Sequence, residues 1–378
     1  MKTSTSKRLR WNVAIWLAAG LFMTSTAGMA SGPIMPDPKA EARHQPQVEE
    51  TANGIPLVNI TAPSSGGVSR NEYETFNVPD KGAILNNSYT LSKTELAGYV
   101  QGNNNMAERP AKIIVNEVTG AGSTSMDGFL EVAGNRADVV IANPNGITVN
   151  GGGFINTGKA FLTTGKPVYD GEDHLQRFDI TGGDILIEGK GLGGKETESL
   201  AILSRAVKIN AGIWAKDLHI TTGANTVDAK TLEASAIEGK GGRPAFALDT
   251  AAIGGMYAGR ITLVGTEKGL GVNNSGAWSA EDNLTLDWNG DLKNSGTIYS
   301  KGNTDLRASR LENDKTIAAG KDITISVDGH VTNTGTVGAG IKEAGGLTET
   351  GTLEIQSRRV DNRQGNLLAG NRLSISSS

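Results

Sequence analysis

The chain has 378 residues, and 36 lysines and arginines against 40 aspartates and glutamates give a net charge of −4. That balance argues against nucleic-acid binding led by a basic face and against an acidic solvating tail. Cysteine is absent, which excludes disulfide scaffolds, thiolate metal sites, iron–sulfur clusters and cysteine nucleophiles.

In the N-terminal stretch, Lys2, Lys7, Arg8 and Arg10 precede an apolar run from Trp11 to Met23. Gly28, Met29 and Ala30 follow, with small residues at the two positions a signal peptidase reads. This predicts a secretory signal over residues 1–30, carried by the Sec machinery and cut between Ala30 and Ser31. The apolar run is too short to span a bilayer as a helix. Residues 31–50 carry Pro33, Pro36, Pro38 and Pro46 amid charges, which predicts an extended, poorly ordered leader. Order is expected to begin near Asn53-Gly54-Ile55-Pro56.

From there the chain alternates short β-branched runs with turn residues. Ile113-Ile114-Val115, Val139-Val140-Ile141, Ile185-Leu186-Ile187 and Ile261-Thr262-Leu263-Val264 are examples. Glycine, at 51 residues, is about twice its usual share. Together these features read as all-β. One exception is expected: Ser92 with Glu95 three positions on suggests a capped short helix over Ser92–Val100.

A repeat begins at residue 274. Asn274-Ser275-Gly276, Asn294-Ser295-Gly296, Asn313-Asp314-Lys315 and Asn333-Thr334-Gly335 recur at steps of 20, 19 and 20 residues, a spacing read from the sequence. A unit of that size cannot bury its apolar side alone, whereas stacked units bury a continuous column. Glycine and asparagine tolerate the corners, and stacked asparagines form hydrogen-bonded ladders. The expected architecture is a parallel β-helix with corners at Asn274, Asn294, Asn313 and Asn333. Residues 274–378 read as the start of a longer rod, and residues 51–273 as a separate domain before it.

The sequence offers little for catalysis. His44, His174, His219 and His330 stand far apart, with no HExxH motif. Gly189 to Lys195 imitates a phosphate loop, but Glu196 stands where a magnesium-binding Ser or Thr belongs. No metal, cofactor or catalytic residue is expected. A carbohydrate-cleaving β-helix enzyme remains the alternative from another class.

Residues Val58 to Lys166 resemble the N-terminal secretion domain of two-partner-secreted exoproteins, the filamentous-haemagglutinin family. The residues that carry this are Asn143-Pro144-Asn145-Gly146-Ile147, with Ile113-Ile114-Val115-Asn116-Glu117-Val118 before it and Gly151-Gly152-Gly153-Phe154-Ile155-Asn156 after it. Where the family often has an NPNL motif, this chain reads Asn103-Asn104-Asn105-Met106. The resemblance implies a right-handed parallel β-helix with an N-terminal cap and extra-helical β elements. It also implies recognition in the periplasm by a dedicated outer-membrane β-barrel transporter. Asn103, Asn105, Asn143, Pro144, Asn145, Gly146 and Ile147 would then either close turns of the cap or touch the transporter. The full exoprotein would reach the surface of a Gram-negative bacterium and act on an unknown host or bacterial receptor, as an adhesin, a contact-dependent toxin or a haemolysin.

Overall fold

The computed structural model describes residues 32–106, 109–343 and 345–377. The expected signal and its cut at Ala30 and Ser31 lie outside the described residues. Pro33–Ser378 form one compact unit.

A coil of the repeat shows how the chain folds. Asp291–Asn294, Thr297–Ser300 and Thr304–Ala308 are three short strands separated by corners. Each pairs in parallel with its counterpart 19 residues later, Arg310–Asn313, Thr316–Ala319 and Ile323–Val327. Side chains alternate in and out along a strand, and the burial follows: Leu292 and Asn294 point inward while Asp291 and Lys293 are exposed. Registered stacking then forms inward columns. Trp278, Ile298, Ile317 and Val337 lie in one, and Leu292, Leu311 and Val331 in another. All are buried, and the core runs unbroken from Ile34 to Ile355. The chain is therefore a parallel β-helix. Its first strands make a ten-stranded sheet and its second and third strands belong to a 24-stranded one.

Two additions stand outside the coils. Lys166–Tyr169, Leu175–Ile180, Asn225–Asp228 and Ala234–Ala236 form a four-stranded antiparallel sheet. It covers the outward side chains of the neighbouring coils, so Val115, Val140, Phe161, Phe178 and Leu203 form a second core. That explains why Val139 to Ala142, within the strand Ala137–Ala142, reads as a continuous apolar run: both faces are covered there.

Ser92–Val100 is the other addition, and it corrects the expectation of a helix. Ser92–Thr94 and Gly98–Val100 form an antiparallel hairpin. The backbone N–H groups of Glu95 and Leu96 donate to the buried carboxylate of Glu131 at 2.7 and 2.9 Å. Gly98 has φ +71°, which reverses the chain after one turn. The capping pattern is present, but a distant acceptor takes the amides a helix would leave open.

The poorly ordered leader is also corrected. Ile34–Pro36 pairs antiparallel with Tyr73–Phe76, and Gln47–Glu50 pairs with Pro56–Asn59. Order therefore begins well before Asn53. Between these strands a single turn, Ala42–His44, buries His44. Ile34 joins the main core, so the segment closes the first coils against solvent despite its prolines.

Candidate functional site

Asn143 to Ile147 links the strand Ala137–Ala142 to Ile147–Val149. Asn143 is fully buried, and every polar atom of its side chain is used. Its Nδ2 donates to the Gly122 carbonyl at 2.9 Å and to Thr124 Oγ1 at 3.0 Å. Its Oδ1 accepts the backbone N–H of Asn145 at 2.9 Å. The Gly146 N–H closes the turn onto the Asn143 carbonyl at 3.1 Å. Gly146 takes φ +111°, and a Cβ there would press on the Asp184 carbonyl. Pro144, whose fixed φ suits the second turn position, is exposed, as is Asn145. Yet the Asn145 side chain turns back onto the protein, donating to the Gly120 carbonyl at 2.8 Å. Ile147 is buried in the core.

Asn103 to Met106 repeats this arrangement with different residues. Asn103 is buried, and its Nδ2 donates to the carbonyls of Ile60 and Asn86 at 2.8 and 3.0 Å. Its Oδ1 accepts the Asn105 N–H at 2.9 Å, and the Met106 N–H bonds the Asn103 carbonyl at 3.2 Å. Asn105 also donates to Ile60 at 3.1 Å. The absent proline of the NPNL form leaves this plan unchanged, because the first and third asparagines carry it. Met106 takes the buried place of the leucine.

Asn274, Asn294, Asn313 and Asn333 each end the first strand of a coil and lie in register. Their amides form a continuous ladder. Nδ2 of each donates to Oδ1 of the next at 2.8, 2.7 and 2.7 Å, and Asn333 donates to Asn362 at 2.5 Å. The same column is apolar in earlier coils, with Val149, Ile187 and Ile209, and changes at Thr250.

The histidines do not converge on a site. His44 is buried, His219 donates or accepts with Thr221 at 2.9 Å, and His174 bonds Asp170 at 2.9 Å. Among the described residues, no group of three or more His, Asp or Glu is placed to hold a metal ion. The Gly189–Lys195 segment forms a coil corner and strand, with Gly189 and Gly191 at positive φ.

Sequence reasoning missed a charged cluster that ties three parts together. His44 Nδ1 lies 3.0 Å from Glu72, whose other neighbour Arg70 is at 2.8 Å. Arg70 also reaches Glu117 at 3.4 Å and lies over the Tyr169 ring at 4.4 Å. Burial raises the Glu117 pKa above the ordinary carboxylate range, with Arg70 opposing that shift. Glu72 and Glu117 are register neighbours. The one sequence signal was their shared outward position on paired strands.

The family profile of the TPS secretion domain matches residues 33–298. The chain belongs to that family. A haemagglutinin-repeat profile matches residues 338–378 of this TPS domain chain. It is 41% identical to a toxin CdiA of Yersinia pestis over 73% of this chain and 9% of that protein. It is 38% identical to a tRNA nuclease CdiA of Yersinia mollaretii over 90% of this chain and 12% of that protein. The chain thus spans about a tenth of the length of these curated relatives. Its fold matches the crystal structure of a filamentous hemagglutinin secretion domain, with TM-score 0.63 and 27% identity, over 91% of this chain and all of that one. The matched region of this TPS domain protein is a secretion-targeting domain rather than a catalytic one, and TPS exoproteins of this type are exported to the Gram-negative cell surface.

Proposed function

We propose that residues 33–298 are recognised by periplasmic domains of a dedicated outer-membrane transporter after the Sec machinery has delivered the chain. In this reading the two asparagine turns act as scaffold. The observation that carries it is the Asn145 side chain, which is exposed in sequence position yet bonded back to Gly120. Asn143 and Asn103 lock the corners of the first coils, and the transporter reads the surface those corners hold in place. Stacking of coils outside the cell would favour outward movement, because each unit gains its core only on the unit before it.

The longer protein is proposed to deliver a toxin to neighbouring bacteria by contact. The relatives named as nucleases support this, and any such activity would lie outside the residues described. An adhesin shares the same N-terminal plan, through the similarity to filamentous hemagglutinin.

Export tests the first proposal. The chain is expressed in a Gram-negative host with and without the cognate transporter, and the medium is assayed. Transporter-dependent release is expected. Asn145→Ala should be exported whenever it is folded, as judged by protease resistance. A folded Asn145→Ala chain that stays in the periplasm would instead make the turn a contact site. Equal release without the transporter would refute the recognition itself.

A further inference from the structure

Residues 37–46 cross the outside of the first coils as a strap. At its ends the chain continues into the edge strands Ile34–Pro36 and Gln47–Glu50. Between them the strap has few ties to the coils. The Asp37 N–H donates to the Glu72 carbonyl at 3.0 Å, and Thr119 Oγ1 donates to Asp37 Oδ2 at 2.6 Å. The N–H groups of Ala40, His44 and Gln45 bond within the strap itself. Its second half is held by side chains. His44 Nδ1 meets Glu72 at 3.0 Å, and Arg43 Nη1 donates to Asp173 Oδ2 at 2.8 Å. His44 Nε2 lies 3.9 Å from that same oxygen.

Asp173 arrives from far along the chain, 130 residues after Arg43. It belongs to the loop Asp170–His174, which joins the first two strands of the four-stranded outer sheet. This loop is shaped to present the carboxylate. Asp170 Oδ1 accepts the backbone N–H groups of Glu172 and His174, both at 2.9 Å. Asp173 takes φ +57°, a left-handed backbone that glycine adopts freely and most residues adopt at a cost. Such a conformation persists where surrounding contacts over-determine it. Here Ser64 Oγ donates to the Asp173 carbonyl at 3.4 Å, and the His174 ring lies on Gly66, where a Cβ would come within 2.0 Å of it.

An exposed ion pair alone contributes little, and the Arg43 side chain is 63% exposed. The other participants are better shielded: the side chains of Asp173 and His44 are 22% and 6% exposed. One carboxylate thus joins the strap to the outer sheet at the rim of the His44–Glu72–Arg70–Glu117 cluster. The loop has its shape only when its hairpin is formed, and the strand Leu175–Ile180 of that hairpin is flanked on its other side by Asn225–Asp228.

We propose that the Asp170–His174 loop is a latch that holds the N-terminal strap shut, so that the strap closes only after the outer sheet is built. The first coils are then capped in two stages. The edge strands pair first, and residues 37–46 are pinned once the loop is in place.

Amide hydrogen exchange on the full chain tests the latch. Asp173→Gly keeps the left-handed backbone and removes the carboxylate. Exchange at Asp37 and His44 should rise at least threefold, while the Asn274–Asn333 ladder keeps its protection. Arg43→Ala, a surface change that leaves the loop sequence intact, should act in the same direction, and by reciprocity it should speed exchange at Asp173. Glu172→Ala, in the same loop with its side chain 74% exposed, should leave the strap unchanged. Pulse labelling during refolding should protect the outer-sheet amides no later than those of the strap. Wild-type strap exchange in a folded Asp173→Gly or Arg43→Ala chain overturns the latch, as does equal acceleration by Glu172→Ala. A strap protected before the outer sheet overturns the order of closure.

Discussion

Asn145 donates its backbone N–H to Oδ1 of Asn143 at 2.9 Å, and the pair is reproduced by Asn105 and Asn103 at the same distance. The first asparagine of each pair is buried, and it links the turn to a neighbouring segment of chain. Asn143→Ala should therefore remove four hydrogen bonds at a buried site, and Asn103→Ala three, each costing about 2–4 kcal/mol. Asn145→Ala, at an exposed position, should cost only about 0.5–1.5 kcal/mol. Urea unfolding of the three variants gives the comparison. Equal losses at Asn143 and Asn145 would contradict the division of roles.

The asparagine ladder makes a second prediction. Asn294→Ala removes both the acceptor of Asn274 and the donor to Asn313. Two buried amides, Asn274 and Asn313, then each lose their ladder partner on that side, which should cost about 2–4 kcal/mol. Asn273, one residue before the ladder and half-buried, bonds only Asp249. Its alanine variant should lie within about 1 kcal/mol of wild type. Denaturant midpoints distinguish the two.

The third prediction concerns pH. Glu117 has its pKa raised by burial. Its folded state thus holds a proton more tightly than the unfolded chain does. That contribution favours folding as pH falls from above the folded value toward the ordinary glutamate value, and it is lost as pH rises through the folded value. Glu117→Gln fixes the neutral form. Relative to wild type, the variant should gain stability at neutral pH compared with its standing near pH 4.5 (about the ordinary glutamate value). Stability curves at both pH values check the sign, and a pH-independent difference would place Glu117 outside this account.

Glu131 supports the fourth. Its carboxylate holds two backbone N–H groups of the Ser92–Val100 hairpin. Glu131→Ala should release that hairpin, with faster amide exchange at Glu95 and Leu96, while the ladder region keeps its protection. Unchanged exchange at both amides would show that the hairpin is held by Ile84, Val100 and Ala133 alone.

Much of this molecule was legible in its sequence, for an identifiable reason. The coils are local, and Asn274, Asn294, Asn313 and Asn333 mark their period directly. The asparagine turn at 143 was legible because its residues are contiguous. What stayed hidden depends on partners far along the chain. Ile34–Pro36 finds its strand at Tyr73–Phe76, so proline content suggested disorder. The helix expected over Ser92–Val100 gave way to a hairpin because Glu131 takes its amides. The His44–Glu72–Arg70–Glu117 cluster was invisible because the coil geometry alone brings it together.

The amide ladder has a direction. Every link points the same way, with the nitrogen of one coil held by the oxygen of the coil that follows. A chain assembling from its N-terminus thus always ends in an amide hydrogen still waiting for an acceptor, and the next coil to arrive supplies it. The front of the growing structure is polar and unsatisfied, while everything behind it is complete. Such a seam closes in one sense like a zipper, and its last closed tooth is the template for the next.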